Sequence, residues 1–342
     1  MKIIYFIICS LFLVSCSSSK IQVENIASEP DFVLAFGSCN RVDLPNLLWD
    51  DILKANPDVW VWGGDNIYAD TDDMVALRAM YNEQKEQPGY NQLLKSTDII
   101  GTWDDHDYGL NDGGVEFSAK DASQQEFLNF MNVPDDSPLR NRQGVYNSKI
   151  YEIDGHSINI ILLDTRYFRT RLTVDTETDK RLKPNKYGEG TILGDVQWNW
   201  LENELKTTTA EFNIIVSSVQ YLSKEHGFEA WGNFPHEVDR MAKVIADSKA
   251  EGVIVLSGDR HISEFSKTNL EGMDYPLIDF TSSGLTHAYR DFSGEPNQYR
   301  VGEVVFTESF GILEFHFNTK TVDFKIVGDN GLVLQRIEQV YE

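Results

Sequence analysis

Asp58-Val59-Trp60-Val61-Trp62-Gly63-Gly64-Asp65-Asn66-Ile67-Tyr68 is an apolar run that stops on two glycines and then presents a carboxylate and a phenol. The run reads as a strand ending in a polar turn. Upstream, Phe32-Val33-Leu34-Ala35-Phe36 does the same and finishes in Gly37-Ser38-Cys39-Asn40. Between the two, the pattern predicts a helix with Pro45 in its first turn and Leu47, Leu48, Ile52 and Leu53 on one face. Downstream, a helical region around 74–95 leads to a third strand, Asp98-Ile99-Ile100-Gly101-Thr102-Trp103, and then to Asp104-Asp105-His106-Asp107. Phe127, Leu128, Phe130 and Met131 fall at helical spacing within 121–132.

Farther along, Ser148–Ile153 and Ile158–Leu163 flank the turn signal Asp154-Gly155 and read as a hairpin. The second of these strands ends in Asp164-Thr165-Arg166. Asp195 opens a helix with Val196, Trp200, Leu201 and Leu205 on one side. Phe212–Val216 is a strand, followed by Gln220 and a long loop with His226, Trp231 and His236. A helix near 237–249 stops at Gly252 as its C-cap, and Val253–Leu256 then runs into Gly258-Asp259-Arg260-His261. From Gly311 onward the chain reads as short antiparallel strands with turns at Asn318-Thr319 and Asp329-Asn330-Gly331. Alternating strands and helices imply crossover units, and the hairpins add antiparallel strands. The expected fold is α/β, with two mixed sheets flanked by helices in a single domain over 31–342.

Four strands end in Cys39, Asp65, Asp105-His106 and Asp259-x-His261. Ligands in open α/β sheets bind at the carboxyl ends of strands, and these residue types form a metal-ligand inventory. One aspartate at a strand end is ordinarily a helix cap. Four such ends, two of them pairing Asp with His, are not explained by caps. Of the remaining histidines, the pattern makes His316 a strand residue and His156 a turn residue. His226, His236 and His287 fall in loops, and Asp70-Thr71-Asp72-Asp73 reads as a solvated helix start.

The chain has 342 residues, with 30 Lys and Arg against 54 Asp and Glu, for a net charge of −24. That balance argues against a nucleic-acid-binding surface, since phosphate backbones are held mainly by Lys and Arg. It leaves a small phosphorylated substrate open, because bound cations reverse the field locally. The N-terminus is a basic start, Met1-Lys2, then an apolar run from Ile3 to Val14 that is too short to span a bilayer. It ends in Leu13-Val14-Ser15-Cys16 and resembles a bacterial lipoprotein signal: residues 1–15 would be removed, Cys16 lipidated, and 16–30 left as a tether. The expected location is the cell envelope, on the periplasmic or outer surface, with the bilayer as a partner through that anchor. Of the three cysteines, Cys9 lies in the signal and Cys16 carries the lipid, so Cys39 has no disulfide partner.

Ser38-Cys39-Asn40, Gly64-Asp65-Asn66-Ile67-Tyr68-Ala69-Asp70, Trp103-Asp104-Asp105-His106-Asp107, Leu163-Asp164-Thr165-Arg166 and Ser257-Gly258-Asp259-Arg260-His261 resemble the successive motifs of PhoD-like alkaline phosphatases. These belong to the calcineurin-like metallophosphoesterase superfamily. The resemblance covers roughly 32–290 and implies a four-layer α/β/β/α sandwich with a multinuclear metal centre between the sheets. By position, Cys39, Asp65, Tyr68 and His261 would hold a ferric iron. Asp65 would bridge to calcium, with Asp105 and Asp259 as further calcium ligands. Soft thiolate, phenolate and imidazole suit a transition metal, and hard carboxylates suit calcium. Asp105 and Asp259 depart from the Asn and His usual at those places in the wider superfamily, and each supplies an anionic oxygen instead.

The implied reaction is hydrolysis of a phosphate mono- or diester by metal-activated water. His106 would contact the phosphate or protonate the leaving oxygen. Arg166 and Arg260 are candidate phosphate contacts, Arg166 having a salt bridge to Asp164 as its alternative. Asn111 and Asp112 offer extra oxygens or form an ordinary turn. A tethered calcium-binding or surface-recognition lipoprotein with a structural metal site and no catalysis is the alternative from a different class.

Overall fold

The computed structural model describes residues 29–341. The proposed signal segment and Cys16 lie outside the described residues. In chain order the strands are β1 Phe32–Gly37, β2 Val59–Gly63, β3 Asp98–Thr102, β4 Asn147–Ile153, β5 His156–Leu162, β6 Thr173–Val174, β7 Leu182–Lys183, β8 Phe212–Val216, β9 Val253–Ser257, β10 Ser263–Thr268, β11 Leu277–Ser282, β12 Arg300–Val305, β13 Phe310–His316, β14 Thr321–Val327 and β15 Val333–Val340. The α-helices are α1 Trp49–Ala55, α2 Met74–Glu86, α3 Pro88–Ser96, α4 Asp105–Tyr108, α5 Lys120–Phe130, α6 Gly194–Thr207 and α7 Pro235–Ser248.

Two large sheets result, ordered β15-β14-β13-β1-β2-β3 and β12-β10-β11-β9-β8-β5-β4. In the first, β1, β2 and β3 run parallel. In the second, β5, β8, β9 and β11 run parallel. The outer strands are antiparallel, so both sheets are mixed, as expected.

The layering follows from alternation within each central strand. Leu34 and Phe36, Val59 and Val61, Ile214 and Val216, and Ile254 and Leu256 all enter one core between the sheets. Their neighbours Ala35, Trp60 and Trp62 face out from the first sheet and are covered by Trp49, Ile52, Leu77, Tyr90 and Phe127 of the helices. Ile215, Val253 and Val255 face out from the second sheet against Trp198, Leu201, Leu205, Met241 and Ile245. Strands apolar on both faces can exist only as inner layers, so the order is helix, sheet, sheet, helix.

Several local expectations are corrected. Helix α1 begins at Trp49, so Pro45 precedes it and Leu47 is exposed. On α6, Val196 faces solvent while Gln197 and Trp198 are buried. Lys249, not Gly252, takes the left-handed C-cap of α7, and His236 lies within that helix. His156 is the first residue of β5 and stacks on Phe317 with ring centroids 4.6 Å apart. Strands β10–β12 escaped notice because they carry buried polar residues: Glu264 is satisfied by Arg300 Nε at 2.6 Å and Gln220 Nε2 at 2.9 Å.

Candidate metal centre

The carboxyl ends of β1, β2, β3 and β9 converge. Gly258 allows the approach: a Cβ there would lie 2.5 Å from Ser38 Oγ and 2.9 Å from the Gly63 carbonyl. Cys39, Asp65, Asp259 and His261 all adopt positive φ, between 52° and 68°. Non-glycine residues seldom do so, and such backbone concentrates where a site holds side chains in place. The turn after β1 is tied to the turn after β2, with Asn40 N–H donating to the Asp65 carbonyl at 2.9 Å.

Tyr68 Oη lies 3.2 Å from Asp65 Oδ2 and 3.3 Å from His261 Nε2. Cys39 Sγ lies 3.4 Å from Asp65 Oδ2 and receives the Ser283 hydroxyl at 3.0 Å. Thus Cys39, Asp65, Tyr68 and His261 form one connected cluster. Oxygens of Asp65, Asp104, Asp105 and Asp259 all lie within 4.8 Å of one another, as do ligand atoms of Asp65, Asp105 and His106. All six residues expected as ligands therefore meet in one place.

The electrostatics favour a cation. Burial raises the Asp65 carboxyl well above its usual range, and the Cys39 and Asp105 charges push it further. Asp259 is driven up to about 7, first by burial and then by Asp105. Burial would raise the Cys39 thiol too, but the His261 charge and hydrogen bond prevail and bring it to about 6. Burial opposes charge on His261, yet Cys39 lifts it to about 9. Asp104 Oδ2 and Asp105 Oδ1 are buried without hydrogen-bond partners. Buried carboxylate oxygens without donors fit a bound cation. A thiolate, phenol, imidazole and carboxylate on one side, with carboxylates on the other, fit a transition metal and an oxygen-seeking cation respectively.

His106 follows Asp105 at the start of α4. Its Nδ1 meets both Asp70 oxygens at 2.9 Å, and its ring stacks on Tyr68 with centroids 4.0 Å apart. Asp70 is therefore more than a solvated helix start; Asp73 is the residue that caps α2. Both loop residues touch Asp105, Asn111 through Nδ2 at 3.2 Å and Asp112 through its backbone N–H at 2.6 Å.

Arg166 is fully buried and pairs with Asp104 at 2.5 Å and Glu229 at 2.6 Å, not with Asp164. Asp164 instead accepts the Arg166 backbone N–H at 2.9 Å. Arg260 is nearly buried, with Nη2 2.8 Å from Glu295 and its guanidinium 4.2 Å from the Phe228 ring centre.

Sequence reasoning missed Asp104, Ser283, Glu229 and the placement of His287. The His287 ring lies 4.4 Å from that of His261 and 5.0 Å from that of Tyr68. Its carbonyl faces His261 Nδ1 at 2.9 Å, leaving His261 Nε2 toward the cluster. His226 borders Phe228 and Arg260, while His236 lies against the Gly190 carbonyl and Tyr187. Only Asp104 carried a local signal, its place beside Asp105; the others join the site through tertiary contacts alone.

Residues 75–297 match the family described as PhoD-like phosphatase. That span contains Asp105, Asp259 and His261 but begins after Cys39, Asp65 and Tyr68. Alkaline phosphatase D of Bacillus subtilis (strain 168) is 23% identical over 310 residues, covering 75% of this chain and 52% of its own length. The chain thus spans about half the length of that relative. A solved structure of PhoD superposes with a TM-score of 0.70 at 18% identity, over 92% of this chain and 69% of its own. A dimetal phosphatase from Danio rerio gives 0.52 at 12% identity, over 92% of this chain and 100% of its own. At these identities the structural likeness is one of fold, the double-sheet fold shared with both structures. With the ordered strand-end motifs, the double sheet and the family match over most of its length in agreement, the chain belongs to the PhoD-like phosphatase family.

Proposed function

We propose that this protein is an exported phosphoesterase, tethered to the cell envelope through lipidated Cys16, with residues 31–342 as one catalytic domain that hydrolyses phosphate mono- or diesters. The observation that carries the hydrolytic reading is the meeting of Cys39, Asp65, Tyr68, Asp105, Asp259 and His261 at four strand ends beside His106. The apolar run ending at Cys16 supports export and anchoring.

Cys39, Tyr68, His261 and Asp65 would hold a ferric ion, and Asp65, Asp105 and Asp259 calcium. Bound there, the ions supply charge neutralisation of the phosphoryl oxygens and acidify water. The chain's own residues do the rest. Asp70 holds His106 by Nδ1 and so leaves Nε2 to carry a proton to the leaving oxygen. Stacking on Tyr68 fixes the imidazole plane. Arg166 orients Asp104 and Glu229 from within the core, which makes it a positioning residue. Arg260 is the remaining guanidinium beside Asp259 for the phosphate.

The full-length protein should release p-nitrophenol from p-nitrophenyl phosphate. His106→Ala should retain its metals and lose more turnover on alkyl esters than on aryl esters, which need little leaving-group protonation. A metal-loaded protein inert on mono- and diesters alike would favour a structural calcium site.

A further inference from the structure

Residues 170–190 form an arm that carries the short hairpin β6–β7. Its hairpin loop reaches toward the candidate metal centre: Arg181, just before β7, pairs with Asp112, and its Nη2 meets Asn111 Oδ1 at 3.2 Å. Asn111 in turn lies 3.2 Å from Asp105 Oδ2 and 3.5 Å from His106 Nε2. The arm is fastened to the segment 224–230 by the Leu182 N–H, which donates to the Gly227 carbonyl at 2.8 Å. Between arm and segment lies a groove of about 620 Å³, lined by Lys180, Leu182, Lys183, Lys224, Phe228 and Pro296 among others. One wall thus includes Lys180 and Leu182, the chain neighbours of Arg181, whose guanidinium meets Asn111. The other contains Phe228, against which Arg260 rests.

We propose that this groove is the subsite for the alcohol portion of the ester, and that it selects alcohols bearing a flat ring. The proposal rests on the phosphoesterase reading above. Three observations point to a ring. Phe228 is 37% exposed and lines the groove although Arg260 occupies part of its surface, so it presents a fixed aromatic wall. Aromatic surfaces of this kind favour offset or edge-on ring partners. The volume lies within the range of small-molecule sites and accommodates a nucleoside-sized group. Lys180 bonds the Glu225 carbonyl at 2.7 Å, and Lys224 lies over the Tyr299 ring. Neither lysine makes an ion pair among the described residues, so both keep donors for the polar edge of a ring. Groove acids are partly engaged, Asp175 by the Glu177 N–H at 2.8 Å and Glu225 by the Gln298 N–H at 3.2 Å. In a chain of net charge −24, a groove lined by three lysines against three carboxylates repels an anionic ester less than an acidic one would.

The test compares adenosine 5′-monophosphate with glycerol 3-phosphate, both phosphate esters of primary alcohols. Binding to the metal-loaded full chain is measured by calorimetry, and phosphate release is followed in parallel. The nucleotide should bind roughly tenfold more tightly, the scale of one aromatic stack. Phe228→Leu keeps apolar bulk beside Arg260 but removes the ring, and should bring the affinity ratio close to one. Phe228→Tyr should restore it. Equal affinities in the wild-type protein, or a ratio unchanged by Phe228→Leu, would overturn the subsite. Failure to release phosphate from either compound and to cleave bis(p-nitrophenyl) phosphate, with the affinity ratio intact, would instead overturn the hydrolytic reading and leave the groove as a ring-binding site.

Discussion

At the scale of single residues, Tyr68 and Cys39 are where the proposed ferric ion is tested against other ions. Phenolate and thiolate on ferric iron give visible charge-transfer absorption, so the concentrated protein should be coloured. Tyr68→Phe removes only the phenol oxygen and should bleach or shift that band while leaving the fold intact. Cys39→Ser should reduce iron content outright, because a hard, weakly acidic hydroxyl replaces a thiolate brought to about 6. Colourless, fully active wild-type protein loaded only with zinc would remove iron from the account. His226 gives a pH prediction. Burial, then the Arg260 charge, lowers its pKa to about 3, so the folded chain keeps it neutral while the unfolded chain takes a proton below about 6.5. Its contribution to stability is present above that pH and is lost as pH falls toward 3. Between pH 7 and pH 5 the loss should be roughly 2 kcal/mol, and His226→Gln should show a correspondingly flatter dependence in chemical denaturation. Parallel curves for the two proteins would contradict it. The candidate ligands were legible in the sequence because Cys39, Asp65, Asp105 and Asp259 stand within a few residues of an apolar run, and the resemblance adds Tyr68 and His261. Asp70, Glu229 and His287 were not, since only the folded chain brings them to His106, Arg166 and His261.

At the scale of elements, the central strands were legible and the polar ones were not. Val59–Gly63 and Val253–Ser257 are buried along their whole length; the first ends on glycine and the second runs into Gly258. Ser263–Thr268 pairs just as fully, with β11 on one side and β12 on the other, but its buried Ser263, Glu264 and Ser266 are satisfied by partners remote in sequence. Helix ends were misplaced where a cap departed from the usual residue, as with Lys249 in a left-handed conformation after α7. The start of α2 follows the rule: Asp73 accepts the N–H groups of Val75 at 2.9 Å and Ala76 at 3.4 Å. Asp73→Ala should cost about 1 kcal/mol, a fall in Tm of about 2 °C, without changing metal content. A larger fall accompanied by metal loss would show that α2 anchors the Asp70 turn as well.

At the scale of the whole molecule, the proposed anchor and the proposed catalysis can be tested apart. Expressed with its own signal, the protein should label with radioactive palmitate and partition into detergent, and Cys16→Ala should abolish both. Label persisting in Cys16→Ala would refute the anchor while leaving the site untouched. The central proposal concerns the site itself: the four strand ends form one centre in which Asp65 would serve both ions. It is tested most directly by measuring bound iron and calcium together with turnover of p-nitrophenyl phosphate, in wild-type protein and in a folded Asp65→Ala variant. Losing a residue that merely supports a metal ligand already costs 10- to 100-fold, so removing the bridge should lower turnover by at least roughly a hundredfold. Both metals should fall with it. A folded Asp65→Ala protein with wild-type metal content and wild-type turnover would contradict the account.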